Sequence, residues 1–255
     1  MPELPASVRL SLWTTHAWAT GASVDGAVRR ALPDIDHVEG DLDRLTLWHD
    51  LGERALLVAL PAPGDLVGMP RATPEVLAAA ADGGECVYVP ALGGLLVPSI
   101  SSYGDDARGG LDVGTRVDWA AYDAEPVARH RVEALEASQL ERHLRDELRV
   151  ATEHLDALGG QPFAASAARE LADAALGGRW GLPSGLPARA ARVIALAGTV
   201  GHVVDVALAA GDGALNAATA SSRHSLLLRL QRAADHALAD ATNAACAVLA
   251  GWRPA

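Results

Sequence analysis

A histidine and an aspartate three residues apart, His202 and Asp205, are the best local signal for chemistry in this sequence. Residues at that spacing share one face of a helix, so the carboxylate is placed to orient the imidazole for base catalysis, or to ligate a metal ion with it. The same spacing suits a buried histidine that is satisfied by its neighbour, because an unpaired polar group in a core is costly. The sequence is compatible with both interpretations.

A second set of candidates, His143, Glu147 and His154, falls on one flank of a predicted helix, within roughly 40° at about 100° per residue. As metal ligands, His143 and His154 need a third ligand from another helix. The available residues are His202, His236 and Asp240. The competing interpretation is a solvated helix flank, and the sequence predicts neither a resident metal nor another cofactor.

The loop Pro61–Met69 follows a predicted buried strand, where ligand contacts often lie at the carboxyl edge of a sheet. Asp65 and Arg71 are the ligand-binding candidates there, although a plain surface loop needs neither. Two further histidines, His16 and His49, accompany tryptophans in the first 50 residues. That combination fits an aromatic pocket or ordinary core filling, since the chain has a single Phe.

All 21 basic residues are arginines. The absence of lysine excludes the Walker phosphate loop, Schiff-base chemistry and pyridoxal phosphate linkage, since each needs a side-chain amine. Nucleophile motifs are also missing, because no serine has a G-x-S-x-G frame and neither cysteine has a histidine nearby in sequence. Whether the protein is an enzyme is therefore left open by the sequence.

The formal charge of -11 disfavours nucleic acid as a partner, and the basic pairs Arg29/Arg30 and Arg189/Arg192 are too sparse to form a patch. The first residues lack a positive region and an unbroken apolar core, so we expect no secretory signal and a cytoplasmic location. The apolar run Val193–Ala210 is long enough to nominate a membrane helix, but His202 and Asp205 interrupt it. We therefore predict a buried helix of a protein without a membrane span, and two buried cysteines outside any zinc or disulfide pattern.

The first half of the chain changes character about every ten residues, as short mixed elements do. Alternation at Val8–Leu12 predicts a strand, Ser23 caps a short helix, and another helix covers Asp41–Leu51. Arg54–Leu60 reads as a buried strand, followed by a helix that starts at Thr73/Pro74 and stops at Gly83/Gly84. The remaining predicted elements are a hairpin of Glu85–Pro90 with Leu95–Ile100, a surface loop over Tyr103–Gly114 and a strand over Arg116–Tyr122.

In the second half, leucines and alanines recur every three or four residues. The pattern predicts four helices joined by Gly/Pro turns and packed as an antiparallel bundle. Their predicted ranges are Pro126–Leu158, Ala164–Leu176, Ala188–Ala210 and Leu215–Ala250. The predicted fold is α+β, with a mixed unit of four or five strands over residues 1–123 and a bundle of about four helices over 124–255.

Several stretches resemble an uncharacterised family of actinobacterial proteins with an α/β first half and a helical second half. The stretches are LVALPAPGDLVGMP, LLVPS, and LPSGLPARAARVIALAGTVGHVVDVALAA followed by GDGALNA. The resemblance covers most of the chain and implies an actinobacterial source and a cytoplasmic location. It implies no activity, cofactor or catalytic residue.

Three functional hypotheses follow from these patterns. The first is a non-enzymatic cytoplasmic protein whose helical half binds a second copy of the chain or a protein partner. The second is a small-molecule-binding protein or enzyme whose pocket lies between the halves and uses His202 and Asp205, with Asp65 or Arg71. The third is a metal-dependent bundle hydrolase that uses His143, His154 and His202.

Overall fold

The computed structural model describes residues 3–104, 113–158, 181–209 and 217–254. The chain is α+β, as predicted, and divides into two compact units, each built from separate stretches of sequence. The unit that holds the β-sheet, called the sheet unit here, comprises Pro5–Leu135, Gly181–Pro187 and Thr242–Ala255. The other, called the helical unit, comprises Met1–Leu4, Glu136–Trp180 and Ala188–Ala241. The predicted boundary after residue 123 stays a prediction.

A five-stranded mixed sheet organises the sheet unit, within the predicted range of four or five strands. The strands are β1 (His37–Gly40), β2 (Leu57–Ala59), β3 (Cys86–Tyr88), β4 (Gly94–Tyr103) and β5 (Gly114–Asp123), in the spatial order β1-β5-β4-β3-β2. Strand β1 runs parallel to β5, and the other neighbours are antiparallel. The predicted hairpin is confirmed as β3–β4, whereas β1 was missed because it is short and largely exposed.

Five helices of the sheet unit are described: α1 (Ala6–Thr20), α2 (Val24–Ala31), α3 (Asp43–Asp50), α4 (Pro74–Gly83) and α5 (Arg129–Glu133). Local signals set several of their ends, as predicted. The Ser23 hydroxyl accepts the Gly26 N–H at the start of α2. Helix α4 begins with Pro74 and ends at Gly84, whose φ of 72° is left-handed and suits glycine.

The strand predicted at Val8–Leu12 is wrong, because these residues lie inside α1. This helix is buried on nearly every side, including its polar residues Ser7, Ser11 and Thr15. These three recur at intervals of four and form a polar stripe, but the stripe faces protein and not solvent. Without a solvent-facing side, the helical period is hidden, and the apolar residues between the polar ones resemble the alternation of a strand.

Polar side chains of helices cover the outer backbone of the edge strand β2 and of Leu56, just before it. The Thr15 Oγ1 accepts the Leu56 N–H at 2.9 Å, and the Ser11 hydroxyl donates to the Leu56 carbonyl at 2.5 Å. Two residues further on, the Asn243 carboxamide accepts the Val58 N–H at 2.8 Å and donates to its carbonyl at 2.9 Å. These bonds satisfy backbone groups at the edge of the sheet that would otherwise be free to pair with another chain.

The main apolar core of the sheet unit lies between the sheet and helices α1 to α3. It is a cluster of aromatic and aliphatic side chains that include Trp18, Trp48 and the fully buried Trp119. The two cysteines, Cys86 and Cys246, are free and buried, as predicted. Burial raises the pKa of the Cys86 thiol to about 12 and that of Cys246 to about 11, so both stay protonated at neutral pH.

Three further helices are described: α6 (Ala137–Ala157), α7 (Ala188–Ala209) and α8 (Ala217–Leu249). Helix α8 belongs to the helical unit as far as Ala241. The predicted helix Pro126–Leu158 is broken between α5 and α6. Between these two helices the Arg253 guanidinium donates to the Leu135 carbonyl, an acceptor that a continuous helix would use. The predicted helix Ala164–Leu176 lies outside the described residues.

Within the helical unit, contacts fix the directions of the helices. Arg189 of α7 lies 3.8 Å from Glu141 of α6, so the N-terminal parts of these helices are neighbours. Arg223 of α8 donates to the Ala207 carbonyl at 3.4 Å, which brings the end of α7 to the beginning of α8. Helices α7 and α8 are therefore antiparallel, as predicted. By length and composition α7 could cross a membrane, with a mean hydropathy of 1.5 over 18 residues, of which 33% are buried.

Candidate functional site

His202 and Asp205 lie on the side of α7 that faces away from its buried residues. The buried side consists of residues such as Val193, Ala197 and Val204, whereas His202 is half-buried and Asp205 is exposed. No hydrogen bond joins His202 to Asp205. Partial burial raises the pKa of Asp205, and the nearby His202 lowers it by a smaller amount. The two side chains are thus neighbours on a partly open surface of the helix.

The histidines of α6, His143 and His154, are both exposed. Glu147, between them, is held by Arg229, whose Nη2 donates to Glu147 Oε2 at 2.8 Å. Among the residues that the structure describes, no group of three His, Cys, Asp or Glu side chains is placed to hold a metal ion. His143, His154 and His202 are all described, so the geometry does not bring them together as a ligand set.

Asp65 and Arg71, the candidates for ligand binding, make separate contacts with the protein. The Asp65 Oδ1 accepts the Val67 N–H at 3.2 Å, and its backbone exchanges two hydrogen bonds with Ala62, so Asp65 closes its own turn. Arg71 has a side chain that is 89% exposed and lies 4.0 Å from Glu125. An ion pair this exposed contributes little to stability.

The pair His236 and Asp240 lies on α8, within the helical unit. Both residues are half-buried. Burial raises the pKa of Asp240, and His236 opposes that shift. A carboxyl group with a raised pKa beside an imidazole can exchange a proton with it.

A basic groove on the helical unit was not predicted from the sequence. It is open, about 360 Å³ in volume, and lies between the beginnings of α6 and α7. The lining residues, which we call the arginine groove, are Ser138, Glu141, Arg142, Arg145 and Arg189. The four residues of α6 are spaced i, i+3, i+4 and i+7 and therefore share one face. The spacing of Arg142 and Arg145 was visible in the sequence, but their approach to Arg189 depends on helix packing.

A second concave site lies in the sheet unit, where α1 ends, α2 begins and α3 passes. It has a volume of about 360 Å³, and its lining includes Ser23, Asp25 and Thr46 besides Trp18 and His49. The His49 ring stacks on Trp18 with centroids 5.5 Å apart, and its Nδ1 lies 3.2 Å from the Glu53 carbonyl oxygen. When Nδ1 donates to that oxygen, Nε2 is the nitrogen that accepts.

Buried acids in the sheet unit have structural partners. The Glu53 Oε1 accepts the N–H groups of Ala91 and Leu92 at 2.8 and 2.7 Å, and so holds the β3–β4 turn. The Glu85 Oε2 accepts the Ser7 N–H at 2.6 Å, in the first turn of α1. Burial raises the pKa of both carboxyl groups, and their backbone hydrogen bonds partly oppose the shift. Neither acid lines the two concave sites described above.

Comparison with known proteins gives two matches along the chain. The model of the Rv1486c-like protein N-terminal domain matches residues 7–137, and that of the Rv1486c-like protein C-terminal domain matches residues 138–239. No curated protein and no solved structure matches the chain. The matching descriptions name no activity, ligand or partner, so function has to be argued from the geometry.

Proposed function

This chain belongs to the two-domain Rv1486c-like family, and we propose that it is a non-enzymatic cytoplasmic protein of actinobacterial origin that acts by self-association through its helical half. The observation that carries the proposal is the incomplete burial of α7. The helix is strongly apolar, yet only 33% of its most apolar stretch is buried. Free buried cysteines support the cytoplasmic location, where thiols stay reduced.

The uncovered side of α7 also carries His202 and Asp205, but its apolar residues are suited to another helix. Its half-buried residues include Leu196, Val203 and Val206, and smaller residues such as Ala195 and Gly198 lie among them. Burying such side chains against a partner is favourable by about 25 cal/mol for each Å² of apolar surface removed from water. Small residues let two helix backbones approach closely. A second copy presents the same surface, so a twofold axis makes the contact self-complementary.

Light scattering on the full-length protein after size-exclusion chromatography tests the proposal. We expect a mass twice that of the 26.3 kDa chain. The double variant Leu196→Glu/Val206→Glu should convert the dimer to a monomer with an unchanged far-UV circular dichroism spectrum, because two charges would have to be buried in the contact. The matched control Ala157→Glu adds a charge at an exposed position near the end of α6 and should leave the dimer intact.

Three outcomes would overturn this proposal. One is a wild-type protein that stays monomeric at tens of micromolar. Another is a control variant that dissociates as readily as the double variant. The third is recovery of the native protein in the membrane fraction, which would assign the apolar side of α7 to lipid.

The alternative functions have less geometric support. An enzyme or small-molecule site built on His202 and Asp205 would use a pair that no hydrogen bond joins and of which Asp205 is exposed. A metal-dependent hydrolase would need ligands that the described residues do not group together. These observations favour association over catalysis for the helical half.

A further inference from the structure

The arginine groove carries an excess of positive charge in a protein whose formal charge is -11. Three guanidinium groups, of Arg142, Arg145 and Arg189, line it together with one carboxylate, of Glu141. The carboxylate is shared, since Arg145 Nη2 lies 2.8 Å and Arg189 Nε 3.8 Å from its oxygens. Arg142 forms no ion pair with the described part of the chain. One negative charge therefore faces three positive charges, which leaves an excess of two.

Backbone groups add to this positive field. The groove reaches the first turns of α6 and α7 at Ser138 and Arg189, where helix dipoles place partial positive charge. Neither helix has an acidic residue in its first turn. The N-cap residue of α6, Glu136, makes no capping hydrogen bond with its side chain. The N–H groups of Ala137 and Ser138 come before the first intrahelical bonds of α6, which begin at Gln139, so no carbonyl of the helix uses them.

We propose that the arginine groove is a binding site for the phosphate group of a phosphomonoester. Above about pH 6 such a group carries two negative charges, which match the excess in the groove. Guanidinium groups bind phosphate oxygens through paired N–H donors, and the Ser138 hydroxyl is a further donor in the lining. A volume of about 360 Å³ accommodates the phosphate with a small organic group attached. The phosphate comes from a free phosphorylated metabolite or from a phosphorylated side chain of a partner.

Isothermal titration calorimetry on the full-length protein, in low salt and a buffer free of phosphate, tests this site. The probes are glycerol 2-phosphate, a phosphoserine peptide, the unphosphorylated peptide and succinate. We expect saturable binding of the phosphorylated probes only. The tighter of the two phosphorylated probes identifies the source of the phosphate. Higher salt should weaken binding, because the contacts are electrostatic.

Variants of α6 localise the binding. Arg142→Gln or Arg145→Gln should weaken it about tenfold or more, because each removes a charge-assisted contact worth at least about 1.4 kcal/mol. Glu141→Gln should strengthen it, since the competing carboxylate is lost. The matched control is Arg149→Gln, whose i,i+4 pair with Glu153 at 2.7 Å resembles the Arg145–Glu141 pair but lies outside the groove.

Unchanged affinity in Arg149→Gln supports the assignment, together with weaker binding in both groove variants. The proposal is overturned if neither phosphorylated probe binds, if succinate binds as tightly as they do, or if Arg149→Gln weakens binding as much as Arg142→Gln. These results are independent of the oligomeric state, so failure of the self-association proposal leaves this test unaffected.

Discussion

The carboxamide of Asn243 pairs with both backbone polar groups of Val58, as a neighbouring β-strand would. Its Oδ1 accepts the Val58 N–H at 2.8 Å, and its Nδ2 donates to the Val58 carbonyl at 2.9 Å. Both residues are buried, and β2 is the last strand of the sheet. A single side chain from the end of α8 thus takes the place of a sixth strand at this position.

Replacing Asn243 with Ala should lower the free energy of unfolding by about 2–6 kcal/mol, since it leaves two buried backbone groups without a partner and each costs about 1–3 kcal/mol. Urea unfolding followed by circular dichroism measures the change. Ser225→Ala is the control on the same helix, because its exposed hydroxyl donates to the Ser221 carbonyl of the preceding turn. A loss in Asn243→Ala no larger than in this control would show that the pairing does not stabilise the edge.

Glu85 should make the stability of the sheet unit depend on pH. Burial raises its pKa, so the folded protein binds this proton more tightly than the unfolded chain. The resulting stabilisation is complete below the ordinary pKa of glutamate and is lost as the pH rises through the raised value. Glu85→Gln keeps an oxygen for the Ser7 N–H but has no charge. Its free energy of unfolding, relative to wild type, should therefore increase between about pH 4 and pH 8.

Glu75 is the control with the opposite sign for this experiment. Its pKa is lowered, chiefly by a hydrogen bond to its own backbone and also by one to the Thr73 side chain. Its contribution is therefore present above the ordinary pKa of glutamate and is lost as the pH falls. Relative to wild type, Glu75→Gln should become less stable as the pH rises through the ordinary pKa of glutamate, and should change little at higher pH. Equal slopes for the two variants would show that burial of Glu85 is not the cause.

Substitution by alanine should have opposite effects on stability at two glycines, Gly94 and Gly26. A Cβ added at Gly94 would lie 2.5 Å from Trp48 Cε2, and this ring is part of the core. Gly94→Ala should destabilise by about 1–3 kcal/mol through overpacking. Gly26 lies inside α2, where a new Cβ meets nothing closer than 3.7 Å, so Gly26→Ala should stabilise by about 0.5–1 kcal/mol. Thermal unfolding measures both, and a neutral Gly94→Ala would contradict the packing described.

Elements whose signals are local were predictable from the sequence. Ser23, Pro74 and Gly84 set helix ends through bonds or backbone angles within a few residues, and the β3–β4 hairpin joins strands that are adjacent in sequence. Helix α1 was misread because Ser11 and Thr15 of its polar stripe bond the backbone of Leu56, 41 or more residues away, which no local pattern reveals. The arginine groove was missed for a similar reason, since its charges come from two helices that are far apart in sequence and meet only after packing.

The pairing of Asn243 with Val58 also sets an order of events when the chain is synthesised. The two residues are 185 positions apart, so Val58 leaves the ribosome long before its partner exists. During that interval Ser11 and Thr15 can already cover Leu56, but the outer N–H and carbonyl of Val58 are open to another nascent chain. The last turns of α8 therefore close the edge of a sheet whose strands come from the first half of the chain, and a chain cut short before Asn243 would keep that edge available for aggregation.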